Sequence, residues 1–165
     1  MLFRSRAGAR PHRLLLREIV FALEFRGRAG PVVGSPTKRR ATSAAPSQTL
    51  TTVLGADGVR TRVEEIAGER AVLESRVERF EDGTFVEDGT ITYGRAGSVS
   101  FVTVGRGTVA PSPVAGRTLG AVMWTVTGGD GLFAGAQGLI TSNFAVSAGG
   151  EVVDHHVARL YLRDG

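Results

Sequence analysis

The chain contains no cysteine, which excludes a disulfide framework, a thiolate metal site and a cysteine nucleophile together. It also lacks any apolar run of the roughly 18 residues that a membrane-spanning helix requires. Its longest apolar stretches are strand-sized, so the expectation is a soluble, cytoplasmic protein with no membrane span. A secretory leader is not indicated, because Arg17, Glu18 and Glu24 interrupt the apolar stretch across residues 14–25. Long helical patterns are missing too. The one compatible stretch, residues 62–78, is broken by Gly68 and carries several β-branched residues, which argues against an α/β architecture.

Glycine is abundant instead: 23 of 165 residues, about twice the usual share of about 7% and without a collagen period. Frequent tight turns explain it. The length is that of about one domain with one core. The net charge of +4 divides unevenly along the chain. Residues 1–40 carry ten Lys and Arg against Glu18 and Glu24, a net of +8, leaving −4 for the remainder. Any polyanion-attracting surface therefore belongs to the N-terminal part, and no nucleic-acid partner is expected for the body.

Residues 1–46 read as a basic N-terminal extension and linker, and residues 47–165 as the folded domain. Three readings of the basic segment stay open: a targeting peptide, a solvated arm, or an extension upstream of the natural start. Within it, Leu16, Ile19, Val20 and Leu23 sit at helical spacing, whereas Ile19, Phe21, Leu23 and Phe25 alternate as a strand would. Residues 27–48 are rich in Gly, Pro, Ser, Thr and Ala, as linkers are.

Beyond the linker, strand and turn signals recur regularly. Residues 49–54 and 59–66 flank the Asp57-Gly58 pair, and residues 71–80 and 84–93 flank Asp82-Gly83, both of them hairpin signals. Asp88-Gly89 inside the latter run suggests a bulge or a shortened strand. Residues 98–104, 119–127, 137–146 and 152–162 complete the series, making about eight strands. The expected fold is all-β, a single antiparallel eight-stranded up-and-down barrel, with a β-sandwich as the alternative. Closure removes exposed strand edges, and a barrel of about eight strands is either filled by side chains or holds one small ligand.

The densest local signal is Gly128-Gly129-Asp130-Gly131-Leu132-Phe133-Ala134-Gly135-Ala136-Gln137-Gly138. These glycines precede a strand rather than a helix, so they are hairpin glycines and not a dinucleotide-binding fingerprint. In a glycine-rich β meander, this hairpin resembles the dirigent and allene oxide cyclase barrel superfamily. The resemblance implies an eight-stranded barrel whose apolar cavity folds or cyclises a lipid-like, phenolic or polyketide-type molecule without a cofactor, often in a dimer or trimer. Catalysis in such a barrel is mostly confinement, with a few polar groups steering protons.

No motif outside the hairpin carries a family's catalytic residues across, so candidates rest on position. In the stretch 151–157, adjacent His155 and His156 point to opposite faces of a strand and cannot share one ion. No metal site is expected. Asp154 and His156 share a face with Val152, Ala158 and Leu160, and could form an oriented general base or a purely structural hydrogen-bonded pair. Asn143 lies mid-strand against β propensity, where it could donate to a substrate oxygen or simply face solvent. Glu74 is a carboxylate in the middle of a strand and a further catalytic candidate. Ser142 lacks the Gly-x-Ser-x-Gly elbow of a serine hydrolase. Trp124, Tyr93, Tyr161, Phe101 and Phe144 are candidates for core packing or for walls of a substrate cavity.

Two functions remain open at this point. One is a cofactor-independent isomerase or cyclase acting on a small apolar molecule in the barrel. The other is a non-catalytic barrel that binds such a molecule or assembles with itself. An interior in which polar groups converge favours the first, and one filled by large side chains opposes binding altogether.

Overall fold

The computed structural model describes residues 16–163. Eleven strands run in chain order: β1 (Leu16–Pro31), β2 (Lys38–Ala45), β3 (Gln48–Gly55), β4 (Gly58–Glu65), β5 (Ala71–Arg79), β6 (Thr84–Tyr93), β7 (Ser98–Thr103), β8 (Gly107–Pro111), β9 (Arg117–Gly129), β10 (Gln137–Ser147) and β11 (Glu151–Arg163). Eight of them, β1, β2, β5, β6, β7, β9, β10 and β11, close into an antiparallel barrel in that circular order. The short β8 pairs with both β6 and β9 at one end of the barrel. No helix among the described residues is long and apolar enough to cross a membrane.

Alternation builds the staves. Along β11 the side chains of Asp154, His156, Ala158, Leu160 and Leu162 are buried, while His155, Val157, Arg159, Tyr161 and Arg163 are exposed. Period-two burial of this kind is what a sheet with one wet face requires. The expected Asp82-Gly83 hairpin joins β5 to β6, with Gly83 at positive φ. The glycine hairpin joins β9 to β10 through a single 3-10 turn at Gly131–Phe133.

The domain boundary expected at residue 46 is corrected by this topology. Residues 16–45 hold β1 and β2, two of the eight staves, and β1 pairs with β11 along its length from Leu16↔Arg163 to Arg28↔Glu151. The alternation of Ile19, Phe21, Leu23 and Phe25 is the strand pattern, with Phe25 fully buried. The stretch read as linker is a strand pair whose inward residues are small: Gly27 and Ala29 on β1, Ala41, Ser43 and Ala45 on β2. At Gly27 a Cβ would lie 2.1 Å from the Thr42 carbonyl oxygen, so only glycine lets the two staves approach. Residues 1–15 of the basic segment lie outside the described residues.

A second correction concerns the β3–β4 hairpin. It forms across Asp57-Gly58 as expected, but it is a separate two-stranded sheet and not part of the barrel. Beneath it the barrel closes directly, with Ala45 of β2 paired to Ala71 of β5. The bulge expected at Asp88-Gly89 is absent, since β5 and β6 stay in continuous register from Ala71↔Tyr93 to Arg79↔Phe85. Gly89 serves close approach instead: a Cβ there would meet the Glu74 carbonyl oxygen at 2.4 Å. The irregularity falls between Ser100 and Phe101, where β7 pairs with β9.

The two ends of the barrel differ. One is plugged by apolar and aromatic side chains, with Tyr93 edge-on to Phe21 at 5.4 Å between ring centroids and tilted against Phe133 at 5.0 Å. Buried Leu162, Leu160, Val99 and Ala136 complete that half of the core. A middle layer of Phe25, Phe101, Trp124 and His156 is stacked at centroid distances of 4.3 to 5.0 Å. Beyond that layer the barrel is open.

Candidate functional site

The open half encloses a cavity of about 290 Å³, at the lower limit for small-molecule sites. Its walls are inward residues of the staves: Leu73 and Val77 of β5, Phe85 of β6, Phe144 and Val146 of β10 and Val152 of β11, with Val109 of β8. Polar side chains gather at the inner end, namely Ser43 of β2, Glu87 of β6 and Asp154 of β11. The interior is therefore neither filled nor uniformly apolar.

Strand alternation places Glu87 inside, between Phe85 and Gly89 on the inner face of β6. The Ser75 hydroxyl from β5 donates to its Oε1 at 2.5 Å. Burial pushes the Glu87 carboxyl up to about 7, and the nearby Asp154 charge and Asp88 add to that rise. The Ser75 hydrogen bond opposes the rise, and the Trp124 indole N–H opposes it less strongly, without completing a hydrogen bond of its own. The backbone at Glu87 is pinned by Thr103, whose hydroxyl accepts from the Glu87 N–H at 2.7 Å and donates to its carbonyl at 2.9 Å.

Asp154 faces the same interior. It accepts from the Ser142 hydroxyl at 2.7 Å through Oδ1 and lies 2.8 Å from His156 Nε2 through Oδ2. His156 is almost wholly buried, stacked on Phe25 and edge-on to Trp124. When Nε2–H donates to Asp154, a neutral ring leaves Nδ1 as a bare acceptor, and Nδ1 has no partner among the described residues. Two buried polar atoms in the middle layer, His156 Nδ1 and Trp124 Nε1, are thus unpaired. Each carries a desolvation cost of about 1–3 kcal/mol.

Of the catalytic candidates read from the sequence, Asp154 and His156 meet at this site, and the other three do not. His155 faces outward and pairs with Glu24 at 3.0 Å, as its odd place in the β11 alternation dictates. Asn143 and Glu74 are exposed on the outer faces of β10 and β5, because their neighbours Ser142, Phe144, Leu73 and Ser75 take the inner ones. Among the aromatic candidates, Phe144 walls the cavity, and Trp124 and Phe101 form the packed layer beneath it. Tyr93 belongs to the plug at the closed end, where burial pushes its phenol up. Tyr161 lies on the outer surface, with its hydroxyl 3.3 Å from Glu18.

Glu87 and Ser75 were not among the sequence candidates. The pattern Phe85, Glu87, Gly89, Ile91 does carry the signal, a carboxylate on an otherwise apolar face, but reading a break at Asp88-Gly89 hides it. Among the described residues, no group of three His, Asp or Glu side chains is arranged to hold a metal ion.

These features define a closed antiparallel β-barrel with one open end and a polar cluster set in its interior. Among solved structures the chain is similar to that of the pterocarpan synthase dirigent protein GePTS1, with a TM-score of 0.51 and 13% identity over 96% of this chain and 98% of that one. The fold is therefore that of a dirigent-like barrel. No protein-family model matches the sequence, and no curated protein is similar to it in sequence.

Proposed function

We propose that the open half of the barrel binds a small, largely apolar molecule and rearranges it without a cofactor, as an isomerase or cyclase, with Glu87 as the proton-transferring group. The observation that carries this reading is a carboxyl buried at the inner end of a cavity and titrating near neutrality. A group poised there is populated in both forms at physiological pH, which is what general acid–base work requires. Glu87 as carboxylate takes a proton from the bound molecule, and as acid returns it at another atom. The sum is redox-neutral and leaves the enzyme unchanged.

Asp154, which lines the cavity, is fixed in place by the Ser142 hydroxyl and by His156 in the layer beneath it. The apolar walls and packed floor hold the substrate in a reactive conformation and exclude competing water. The fold neighbour is described as a synthase, which supports a reaction within a barrel of this architecture. Assembly into a dimer or trimer is compatible with the reading and is not required by it.

The test uses the full chain, expressed as wild type and as E87Q. Bound molecules are detected by native mass spectrometry, then extracted and compared by chromatography. The expected result is one retained molecule whose mass is equal in both proteins but whose retention differs, substrate in the variant and its isomer in the wild type. The same compound in both would leave a non-catalytic carrier. No retained molecule, together with no binding of an apolar dye panel, would refute the cavity reading.

A further inference from the structure

The mouth of the cavity is cationic. Arg39 and Arg79 lie on the inner faces of β2 and β5, Arg28 stands on the rim of β1, and all three line the cavity. Arg28 is engaged with the Gly149 carbonyl at 2.7 Å, and Arg39 with the carbonyls of Pro36 and Lys38. None of the three takes part in an ion pair among the described residues, where seven other arginines each pair with a carboxylate. Arg79 is half-buried, and burial first, then repulsion from Arg39, disfavours its charge.

A partly desolvated guanidinium beside a second one, with no counter-charge, is an unfavourable arrangement for the protein alone. The cavity is thus polarised along the barrel axis, with a cationic mouth, apolar walls and an acidic floor. The guanidinium fork matches the geometry of a carboxylate, sulfonate or phosphate.

We infer that this cavity selects an amphipathic anion, a molecule whose single acidic head group sits at Arg39 and Arg79 while its apolar body fills the barrel. This rests on the proposal that the cavity binds a small apolar molecule and adds the chemical class of that molecule. The head group supplies the counter-charge the mouth lacks. It also fixes which end of the molecule reaches Glu87.

The test compares two fluorescent probes on the full chain, anilinonaphthalene sulfonate and its uncharged parent phenylnaphthylamine. Wild type binds the sulfonate about tenfold more tightly, and added salt reduces that preference. R79Q and R39Q, made separately, each remove most of the preference and leave affinity for the neutral probe within about twofold. A41F, which fills the cavity from β2, abolishes binding of both probes. Equal affinities in wild type, a preference that survives both arginine substitutions, or sulfonate binding that survives A41F would each overturn the inference. Binding of the neutral probe with no sulfonate preference refutes the anionic class alone. Binding of neither refutes the cavity reading with it.

Discussion

Glu87 makes a quantitative prediction about stability. Its carboxyl titrates near 7 in the folded chain against an ordinary value of 4.5. The folded state therefore holds a proton that the unfolded chain has already released across that interval, and stability falls as pH rises from about 4.5 to about 7. A shift of this size corresponds to roughly 3 kcal/mol, absent at the acid end and fully expressed above neutrality. In E87Q the neutral amide mimics the protonated acid and can still accept from the Ser75 hydroxyl. Wild type and variant should then differ by less than about 1 kcal/mol at pH 5, whereas at pH 8 the variant should be more stable by roughly 3 kcal/mol. For a chain of this length that is about 6–12 °C in midpoint. Thermal unfolding followed by circular dichroism at the two pH values measures it. The other titrating groups are common to both proteins and largely cancel in the difference. A variant-to-wild-type difference that is the same at pH 5 and pH 8 would refute the assignment of a buried, uncompensated carboxylate.

Two further outcomes test the corrected architecture. Deleting residues 16–46 removes β1 and β2 and leaves β11 and β5 as open edges, so the remaining chain should show no cooperative thermal transition and should aggregate. Replacing residues 48–66 with a short Gly-Asn-Gly turn should move the unfolding midpoint by less than about 3 °C, because the Ala45↔Ala71 pairing already closes the barrel beneath the hairpin. A loss of more than about 10 °C would mean that the hairpin supports the barrel.

How far the sequence could be read follows from what the inner face of each strand carries. On β11 the inner positions hold Asp154, His156, Ala158 and Leu160 against exposed His155, Val157 and Arg159, and that contrast already assigns the faces correctly. On β2 the inner positions are Ala41, Ser43 and Ala45, too small to register as an apolar stripe, and the outer ones include Lys38 and Arg40. The segment therefore has the composition of a linker although its backbone lies in a ladder. On β1 the ambiguity between two periodicities is resolved only by the partner β11, which supplies hydrogen bonds from the far end of the chain. The site was legible where a polar residue interrupted a strongly alternating strand. It was hidden at Glu87, where a turn-like dipeptide lay inside a straight strand. Glu74 is equally a mid-strand carboxylate, but Leu73 and Ser75 pack inward and turn its side chain to the outer face.

The longest ladder among the described residues joins β1 to β11, and Glu24 and His155, cross-strand partners there, are 131 positions apart in the chain. Such distant pairing must overcome loop-closure entropy before it returns any contact, so zipping of this seam belongs to a late stage of folding. On the ribosome the consequence is sharper. Until Glu151–Arg163 has emerged, β1 and β10 each present an unpaired edge, and the largely apolar interior stays open along its whole length. The nascent chain is thus vulnerable to edge-to-edge association for as long as β11 is missing, and β11 is the segment that both completes the seam and delivers Asp154 and His156 to the interior.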